Sequence, residues 1–398
     1  MNNISEEVKK KIYLEIINKK EEIVEFASEL IRCKSITGNE KEIATIVESK
    51  MKELNFDEVF IDKMGNVIGR VGDGEKSLLF DSHMDTVSVN DEEFWKFNPF
   101  KGELIDGNLY GRGSVDMKGA LAVSIYAVAI SKKLGLIDNK KIYISASVME
   151  EDYDGQAVLY ILEKVGIKPD AVVCCEATEL AIGNGHRGRA LIKITVNGKS
   201  AHGSRPELGI NPLYGLARII EKIKNLSFIL SKNETLGSVA ITGIGCITAS
   251  ANSIPESAYI TIDRRLTLVE NYQYIKKEMD EIIAKEDAIW EICDIPGKSW
   301  RGEPLTLHSF LPAWEIEKNN SLVICAKEAY KNVLKKDGEC IKLGYSTNAV
   351  ATAGIHKIPS IVLGPGSTEV AHMRDEYCSL DQLLKACQIY VNLCALYK

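Results

Sequence analysis

The stretch Leu78-Leu79-Phe80-Asp81-Ser82-His83-Met84-Asp85-Thr86-Val87 decides how the rest of the chain is interpreted. Its apolar start predicts a short buried strand, and the polar residues that follow predict a loop. The end of a strand is where α/β folds carry their ligand sites. His83 can offer a neutral imidazole to a metal ion, and Asp85 can accept the other ring N–H. A lone histidine after a strand is also typical of a structural residue. The rest of the chain therefore decides whether His83 is a metal ligand or a structural residue.

The composition is that of a globular protein without a nucleic-acid surface. The chain has 398 residues, more than a single core usually organises, so we expect two domains. A net charge of −7 and the lack of a basic run with interleaved aromatics exclude nucleic-acid binding. No apolar run approaches the ~20 residues that span a bilayer. Ten cysteines in a chain without a secretory signal predict reduced thiols and a cytoplasmic location.

The order of predicted elements indicates an α/β fold with an insertion. Strands and helices alternate through the first half, which predicts a mostly parallel central sheet flanked by helices. A β-α-β-β-α-β run follows, the ferredoxin-like order, and predicts an inserted α+β domain. We expect one discontinuous domain over residues 1–185 and 300–398, and the inserted domain over 186–299. The segments Asp91–Asp106 and Pro296–Pro312 are predicted to be irregular.

Several metal-ligating side chains come where predicted strands or loops end, namely Asp116, Glu150, Glu151, Glu176 and His372. With His83 they form a nitrogen and oxygen donor set that suits zinc or a similar divalent ion. Of two adjacent glutamates, one can bind metal while the other takes a proton from water and hands it to a leaving amine. Two simpler interpretations stay open. The two glutamates can form a solvated acidic patch at a helix start, and Asp116 can be a helix N-cap.

These motifs resemble, in their order, the zinc aminoacylase/carboxypeptidase family of metallopeptidases, which includes acetylornithine deacetylase and succinyl-diaminopimelate desuccinylase. The resemblance runs from about Thr37 to the C-terminus. It is carried by the segments His83-Xaa-Asp85, Gly111-Arg112-Gly113, Asp116-Met117-Lys118-Gly119, Glu150-Glu151, Glu176, Gly364-Pro365-Gly366 and Ala371-His372. It implies a zinc-peptidase-like catalytic domain, an inserted domain that serves as a dimerisation or lid domain, and a homodimer formed through that insertion.

The resemblance also implies a ligand set for two divalent metal ions per subunit. His83 and Glu176 would hold one ion, Glu151 and His372 would hold the other, and Asp116 would bridge the two. Zinc is the expected metal, with cobalt or manganese as alternatives.

Catalytic and substrate-binding roles follow from the same resemblance. Asp85 would support His83, and Glu150 would act as general base and acid. In the inserted domain, His202 would stabilise the developing oxyanion, often in the partner subunit's site, and Asn252 would contact the substrate. Arg265 would bind a substrate carboxylate, a task for which a planar guanidinium is suited.

Some features of the sequence leave the substrate and two of these roles open. Met149 and Asn348 stand where many relatives carry aspartate, and the departures most resemble a subgroup of hydrolases associated with selenium metabolism. An ordinary turn residue is the simpler interpretation of His202. A surface ion pair is the simpler interpretation of Asp263-Arg264.

The predicted function is that of a dinuclear-metal-dependent hydrolase. It would cleave the amide bond of an N-acyl amino acid or small peptide with metal-activated water and a glutamate general base, as a deacylase or carboxypeptidase. Its partners would be that small molecule and a second copy of the chain, with no nucleic acid and no membrane. A dipeptidase or an N-carbamoyl-amino-acid amidohydrolase is the alternative among enzymes. A catalytically silent relative that binds or regulates is the alternative of another class.

Overall fold

A large mixed sheet of nine strands is the main element of the fold. The structure is a computed structural model that describes residues 4–233 and 235–398. Within those ranges the α-helices are α1 Glu6–Asn18, α2 Lys20–Arg32, α3 Lys41–Glu53, α4 Lys118–Lys133, α5 Gln156–Tyr160, α6 Pro212–Leu230, α7 Tyr272–Ile283, α8 Ser321–Leu334 and α9 Leu380–Leu396. Short 3-10 turns cover Glu92–Phe94 and Pro206–Leu208, and π-helical turns cover Ile161–Val165 and Val350–Ile355.

In the part of the chain that the structure describes, the strands divide among a large sheet, a second sheet and three small ones. In chain order they are β1 Glu58–Ile61, β2 Val67–Val71, β3 Lys76–His83, β4 Glu103–Ile105, β5 Asn108–Tyr110, β6 Lys140–Ser147, β7 Ala171–Cys174, β8 Ile182–His186, β9 Gly188–Asn197, β10 Ala201–His202, β11 Val239–Ile247, β12 Ser253–Ile254, β13 Ser257–Leu266, β14 Ala288–Ile292, β15 Asp294–Lys298, β16 Pro304–His308, β17 Phe310–Leu311, β18 Trp314–Glu315, β19 Cys340–Leu343, β20 Ser360–Val362 and β21 Tyr377–Ser379.

The large sheet has a parallel centre and antiparallel flanks. Its strand order is β1-β2-β6-β3-β7-β20-β8-β18, with β19 beside β8. The four strands β6, β3, β7 and β20 run parallel to one another. Their carboxyl ends therefore meet at one edge of the sheet, which brings the loops that follow them together. The buried faces of these strands share one hydrophobic core with helices such as α2, α4 and α9.

The second sheet is antiparallel and has its own core. Its order β11-β13-β9-β14, with α6 and α7 in the chain between the strands, is the ferredoxin-like arrangement. Apolar residues of both helices, including Ile219 and Met279, pack against alternate residues of the strands, including Ile194 and Ile260. The mostly parallel central sheet and this α+β unit confirm the predicted fold class. The proposed boundaries at residues 185/186 and 299/300 stay predictions.

The structure corrects two local expectations. The segment Pro296–Pro312 is not irregular, because β15 and β16 form an antiparallel hairpin in it and β17 joins the second sheet. The loop Asp91–Asp106 ends in β4, which pairs with β5 in a small sheet that also includes β21. Within 4–233 and 235–398, no helix combines the length and apolar character needed to cross a bilayer.

Candidate metal centre

Four neighbouring strands bring five of the predicted site residues to one edge of the large sheet, and Asp116 reaches it from the loop between β5 and α4. His83 is the last residue of β3, Glu150 and Glu151 follow β6, and Glu176 follows β7. His372 lies in the loop after β20. Because these are the four parallel strands, five side chains that lie as far as 289 positions apart in the chain converge at their carboxyl ends.

His83 lies at the centre of this cluster and is almost fully buried. Its Nε2 is 2.9 Å from Asp116 Oδ1, 3.4 Å from Glu176 Oε1 and 3.9 Å from Glu150 Oε2. Its Nδ1 is 2.9 Å from the backbone carbonyl oxygen of Asp85, and 3.6 Å from the Asp85 carboxylate. The carbonyl group of Asp85, rather than its carboxylate, is therefore the nearer acceptor for the ring N–H.

His372 completes a second group around the other oxygen of Asp116. Its Nε2 is 3.2 Å from Asp116 Oδ2 and 3.0 Å from Glu151 Oε2. Asp116 thus directs one carboxylate oxygen to each histidine, which is the geometry of a bridging ligand. It is not the N-cap of α4, because that helix begins at Lys118 with Met117 at its cap, so the N-cap interpretation is wrong.

Donor atoms in this cluster are close enough together to hold metal ions. One atom from each of His83, Glu150 and Glu176 lies within 4.8 Å of the others, and so do atoms of His83, Asp116 and Glu151. The first group contains Glu150, where the resemblance places only His83, Glu176 and the bridging Asp116. Glu150 is 8% exposed, so the two glutamates do not form a solvated acidic patch.

The electrostatics of the cluster show an excess of buried negative charge. Burial and the charge of Asp116 raise the pKa of Glu176 to about 7. Hydrogen bonds to Asp116 and Glu151 raise the pKa of His372 to about 10. Burial raises the pKa of Glu150, and the nearby Glu176 and Glu151 charges add to that effect. Nitrogen and oxygen donors crowded around too little positive charge are chemically suited to divalent cations.

A buried carboxylate that sequence reasoning missed ties two of the metal-site loops together. Glu376 is fully buried, and its Oε1 accepts hydrogen bonds from the backbone N–H groups of Val115 and Asp116 at 2.9 and 3.2 Å. Its Oε2 accepts one at 2.6 Å from Arg112, which also donates to the backbone carbonyl of His372 at 3.3 Å. Glu376 follows His372 by four residues, but its partners are mostly backbone groups, which leave no pattern in the sequence.

Two of the predicted substrate residues of the inserted unit, His202 and Asn252, line a cavity apart from the metal-site carboxylates in this single chain. His202 is exposed, its Nδ1 is 2.8 Å from Ser204 Oγ, and it pairs with Ser253 between β10 and β12. The backbone carbonyl of Asn252 accepts a hydrogen bond from Gly203 at 2.6 Å. Both predicted residues line an open cavity of about 950 Å³, which none of the carboxylates of the metal-site cluster lines.

Arg265 lies on β13 beside a carboxylate. Its Nε donates to Asp263 Oδ1 at 2.8 Å, and Arg189 on the paired strand β9 donates to the other oxygen of Asp263 at 3.1 Å. The neighbouring Arg264 instead points into the core, where it pairs with Glu270 and Glu278. An Asp263-Arg264 surface ion pair is therefore wrong, and Arg265 stays a predicted substrate ligand.

Comparisons with known proteins identify the class to which this fold and cluster belong. A model of the family described as Peptidase family M20/M25/M40 matches residues 79–395, and the chain belongs to that family. It is therefore a metallohydrolase that acts on amide or peptide bonds, as predicted.

Particular relatives refine this placement. The chain is 32% identical over 376 residues to the uncharacterized protein YgeY of Escherichia coli (strain K12), covering 94% of this chain and 93% of YgeY. It is 30% identical over 353 residues to the acetylornithine deacetylase of Vibrio campbellii, covering 86% of this chain and 88% of that enzyme. The fold matches that of the aminopeptidase PepT of Bacillus cereus with a TM-score of 0.74 at 22% identity, over 95% and 99% of the two chains.

Proposed function

We propose that this protein hydrolyses the amide bond of an N-acylated amino acid or small peptide, with Glu150 as general base and general acid. One observation carries the proposal: the side chains of two adjacent glutamates reach different partners. Glu151 Oε2 lies 3.0 Å from His372, whereas Glu150 Oε2 lies 3.9 Å from His83 on the other side of the cluster. One glutamate would thus belong to the ligand set, and the other would face the set from a buried position.

The residues that would hold the two metal ions are those predicted from the sequence. His83 and Glu176 would hold one ion, Glu151 and His372 the other, and Asp116 both. The buried donor set fits divalent cations, and we propose zinc because imidazole and carboxylate ligands together suit it. When bound, the two ions would polarise the scissile carbonyl and acidify the attacking water.

The protein side chains then handle the proton and the substrate. Glu150 would accept the proton of the attacking water and deliver it to the leaving amine, so that the carboxylate is regenerated in each cycle. Asp85 would support this geometry through its carbonyl contact with His83 and its carboxylate contacts with the Glu150 and Glu151 N–H groups.

Substrate recognition would fall to the inserted unit. Arg265 would pair with a substrate carboxylate, and Asn252 would add a neutral polar contact. His202 would donate to the oxyanion, and its exposed position suits a site that belongs to a second copy of the chain.

We propose a homodimer that forms through this unit. Strand β11 is an edge strand of the second sheet, and its residues Ile244 and Ile247 are 66% and 59% exposed. An unpaired apolar strand edge is a surface that proteins normally cover, and a second copy would cover it symmetrically. The cysteine content supports the proposed cytoplasmic location, since each of the ten cysteines is a free thiol and six of the ten, including Cys174 and Cys175, are buried.

A substrate panel tests this function. The zinc- and cobalt-loaded protein is incubated with N-acyl amino acids, dipeptides and N-carbamoyl amino acids, and the products are identified. We expect release of a free acid together with an amino acid. Release of two amino acids would indicate a dipeptidase, and release of ammonia with CO₂ would indicate a carbamoyl hydrolase. No turnover of any compound would contradict the proposal and favour a silent relative.

A further inference from the structure

The backbone at the end of β6 is held by two carboxylates that reach it from elsewhere in the chain. The N–H groups of Glu150 and Glu151 donate to Asp85 Oδ1 and Oδ2, at 3.0 and 3.2 Å. The N–H of the preceding Met149 donates to Glu40 Oε1 at 3.1 Å. Three consecutive amide groups thus point at acidic side chains, as the amides of an anion-binding nest point at an anion.

Glu40 is buried and hydrogen-bonded to the backbone at this point. It is fully buried at the start of α3, and the same Oε1 also accepts from the N–H of Gly38 at 2.9 Å. Burying a carboxylate is costly unless its hydrogen bonds compensate, and Glu40 Oε2 has no partner in the described structure. A fold that needs only packing at this position would be served better by an apolar residue.

The loop that carries Glu40 is attached to the His83–Asp85 loop as well. Ser35 Oγ donates to the backbone carbonyl of Met84 at 2.8 Å, and Thr37 Oγ1 donates to Asp85 Oδ2 at 2.8 Å. The loop Ser35–Glu40 therefore joins two of the segments that carry the metal-site residues.

The backbone conformation of Met149 gives a reason for the hydrogen bond between its N–H and Glu40. Met149 has φ 59°, in the left-handed region that a residue with a side chain seldom occupies. This turn comes directly before the two adjacent glutamates, so it helps to determine the direction in which each of them leaves the chain. A backbone in a disfavoured conformation persists only when its surroundings hold it.

We propose that Glu40 is a positioning residue for Glu150. Its carboxyl oxygen holds the Met149 turn, and the turn directs Glu150 toward the reacting water while Glu151 faces His372. The inference rests on the proposed function, since it assigns Glu40 to the base of that reaction. It adds a buried residue that contacts neither the substrate nor the ions.

Steady-state kinetics of Glu40 variants test the proposal. In Glu40→Leu the acceptor is lost at similar volume, and we expect kcat to fall about 10- to 100-fold with KM and metal content unchanged. Glu40→Gln keeps an acceptor oxygen and should restore kcat to within about threefold of wild type. Glu42→Leu, an exposed position in the same helix, is the matched control. Equal losses in the Leu and Gln variants, or a change in KM alone, would overturn the proposal.

A double mutant separates positioning from general destabilisation. In the Glu150→Gln background the base is already absent, so Glu40→Leu should lower the residual kcat by less than about threefold. A further loss as large as that in the wild-type background would mean that Glu40 acts through the fold as a whole, and it would overturn the proposal.

Hydrogen–deuterium exchange gives an answer that does not depend on activity. We expect Glu40→Leu to speed exchange in the peptide that contains Met149–Glu151, with wild-type protection in the strands of the large sheet. Unchanged exchange at Met149–Glu151 would refute the contact even if the panel reveals no substrate. Local loosening in a protein that hydrolyses nothing would uphold the positioning role of the contact and place the failure in the proposed reaction.

Discussion

The carboxyl edge of the large sheet and the His202–Asn252 corner of the inserted unit differ in how completely one chain builds them. At the sheet edge, His83 is 1% exposed and has four carboxylates within 4 Å. At the corner, His202 is exposed, and its ring contacts Ser204 two residues away. A buried and mutually oriented cluster is prepared before any ligand arrives, whereas an exposed histidine needs a partner surface to become part of a site. The sheet edge would therefore carry the metal chemistry, and the His202–Asn252 corner would carry substrate recognition.

The largest effect on kcat is expected from a substitution in the buried cluster at the sheet edge. Glu150→Gln should lower kcat about 10³-fold, because an amide cannot take the proton of the attacking water, while metal content stays that of wild type. The exposed Asp152→Asn, two residues away, is the matched control and should retain full activity. Near-wild-type turnover by Glu150→Gln, measured in steady state, would show that another group is the base.

The second prediction concerns the exposed side. His202→Ala should lower kcat about 10²-fold, the usual cost of losing one oxyanion donor. If His202 acts in the partner's site, mixing this variant with Glu150→Gln should restore about a quarter of wild-type activity. Half of the randomly assorted dimers then contain one complete site. Mixed chains that stay as inactive as either parent would place His202 in the site of its own subunit.

A smaller effect is expected at Arg265, the residue proposed to bind a substrate carboxylate. Arg265→Lys keeps the charge but loses the planar fork, so KM for a substrate with a free carboxylate should rise about 10-fold. The exposed Arg205→Lys is the control. A substrate without the carboxylate should be hydrolysed equally by both variants. A loss confined to kcat would instead place Arg265 in the chemical step.

The smallest effect is on stability, and it concerns the segment that connects the large sheet to the inserted unit. His186 ends β8, where the chain leaves the large sheet, and its ring packs edge-on against Trp314 with ring centroids 5.1 Å apart. Burial lowers the pKa of His186 to about 4, from 6.5. The unfolded chain therefore binds a proton at a pH at which the folded chain does not, and stability falls as the pH drops from about 6.5 toward 4.

This connection can be tested by unfolding at two pH values. Relative to His186→Gln, the wild-type free energy of unfolding should fall by about 2 kcal/mol between pH 7 and pH 5. Denaturant unfolding of both proteins at each pH measures the difference. A difference that does not change with pH would mean that His186 titrates normally in the folded protein.

The convergence of the proposed metal ligands could be predicted from the sequence because each follows a recognisable strand or loop. His83, Glu151, Glu176 and His372 converge for the reason that parallel strands end at a common edge, and that rule applies before any coordinates are known. The order β-α-β-β-α-β likewise predicts the second sheet.

The supporting residues could not be predicted in the same way. Glu40 and Glu376 bind backbone N–H groups, some of them more than a hundred positions away, and a backbone group carries no residue identity that a pattern can contain. The hairpin of β15 and β16 was missed because Pro296, Gly297 and Pro304, which disfavour regular structure, lie in or begin its strands. Local signals thus predict which residues reach the sheet edge, and long-range hydrogen bonds decide how they are held there.

The number of divalent ions bound per chain tests the central claim most directly. Elemental analysis of the zinc-loaded protein after removal of free metal should give about two ions per chain, in line with the two proposed ligand groups that share Asp116. Asp116→Ala, which removes the shared ligand, should give fewer than one, with its folded content unchanged by circular dichroism. A wild-type protein that hydrolyses amides with no bound metal, or an Asp116→Ala variant that keeps two ions, would contradict the account.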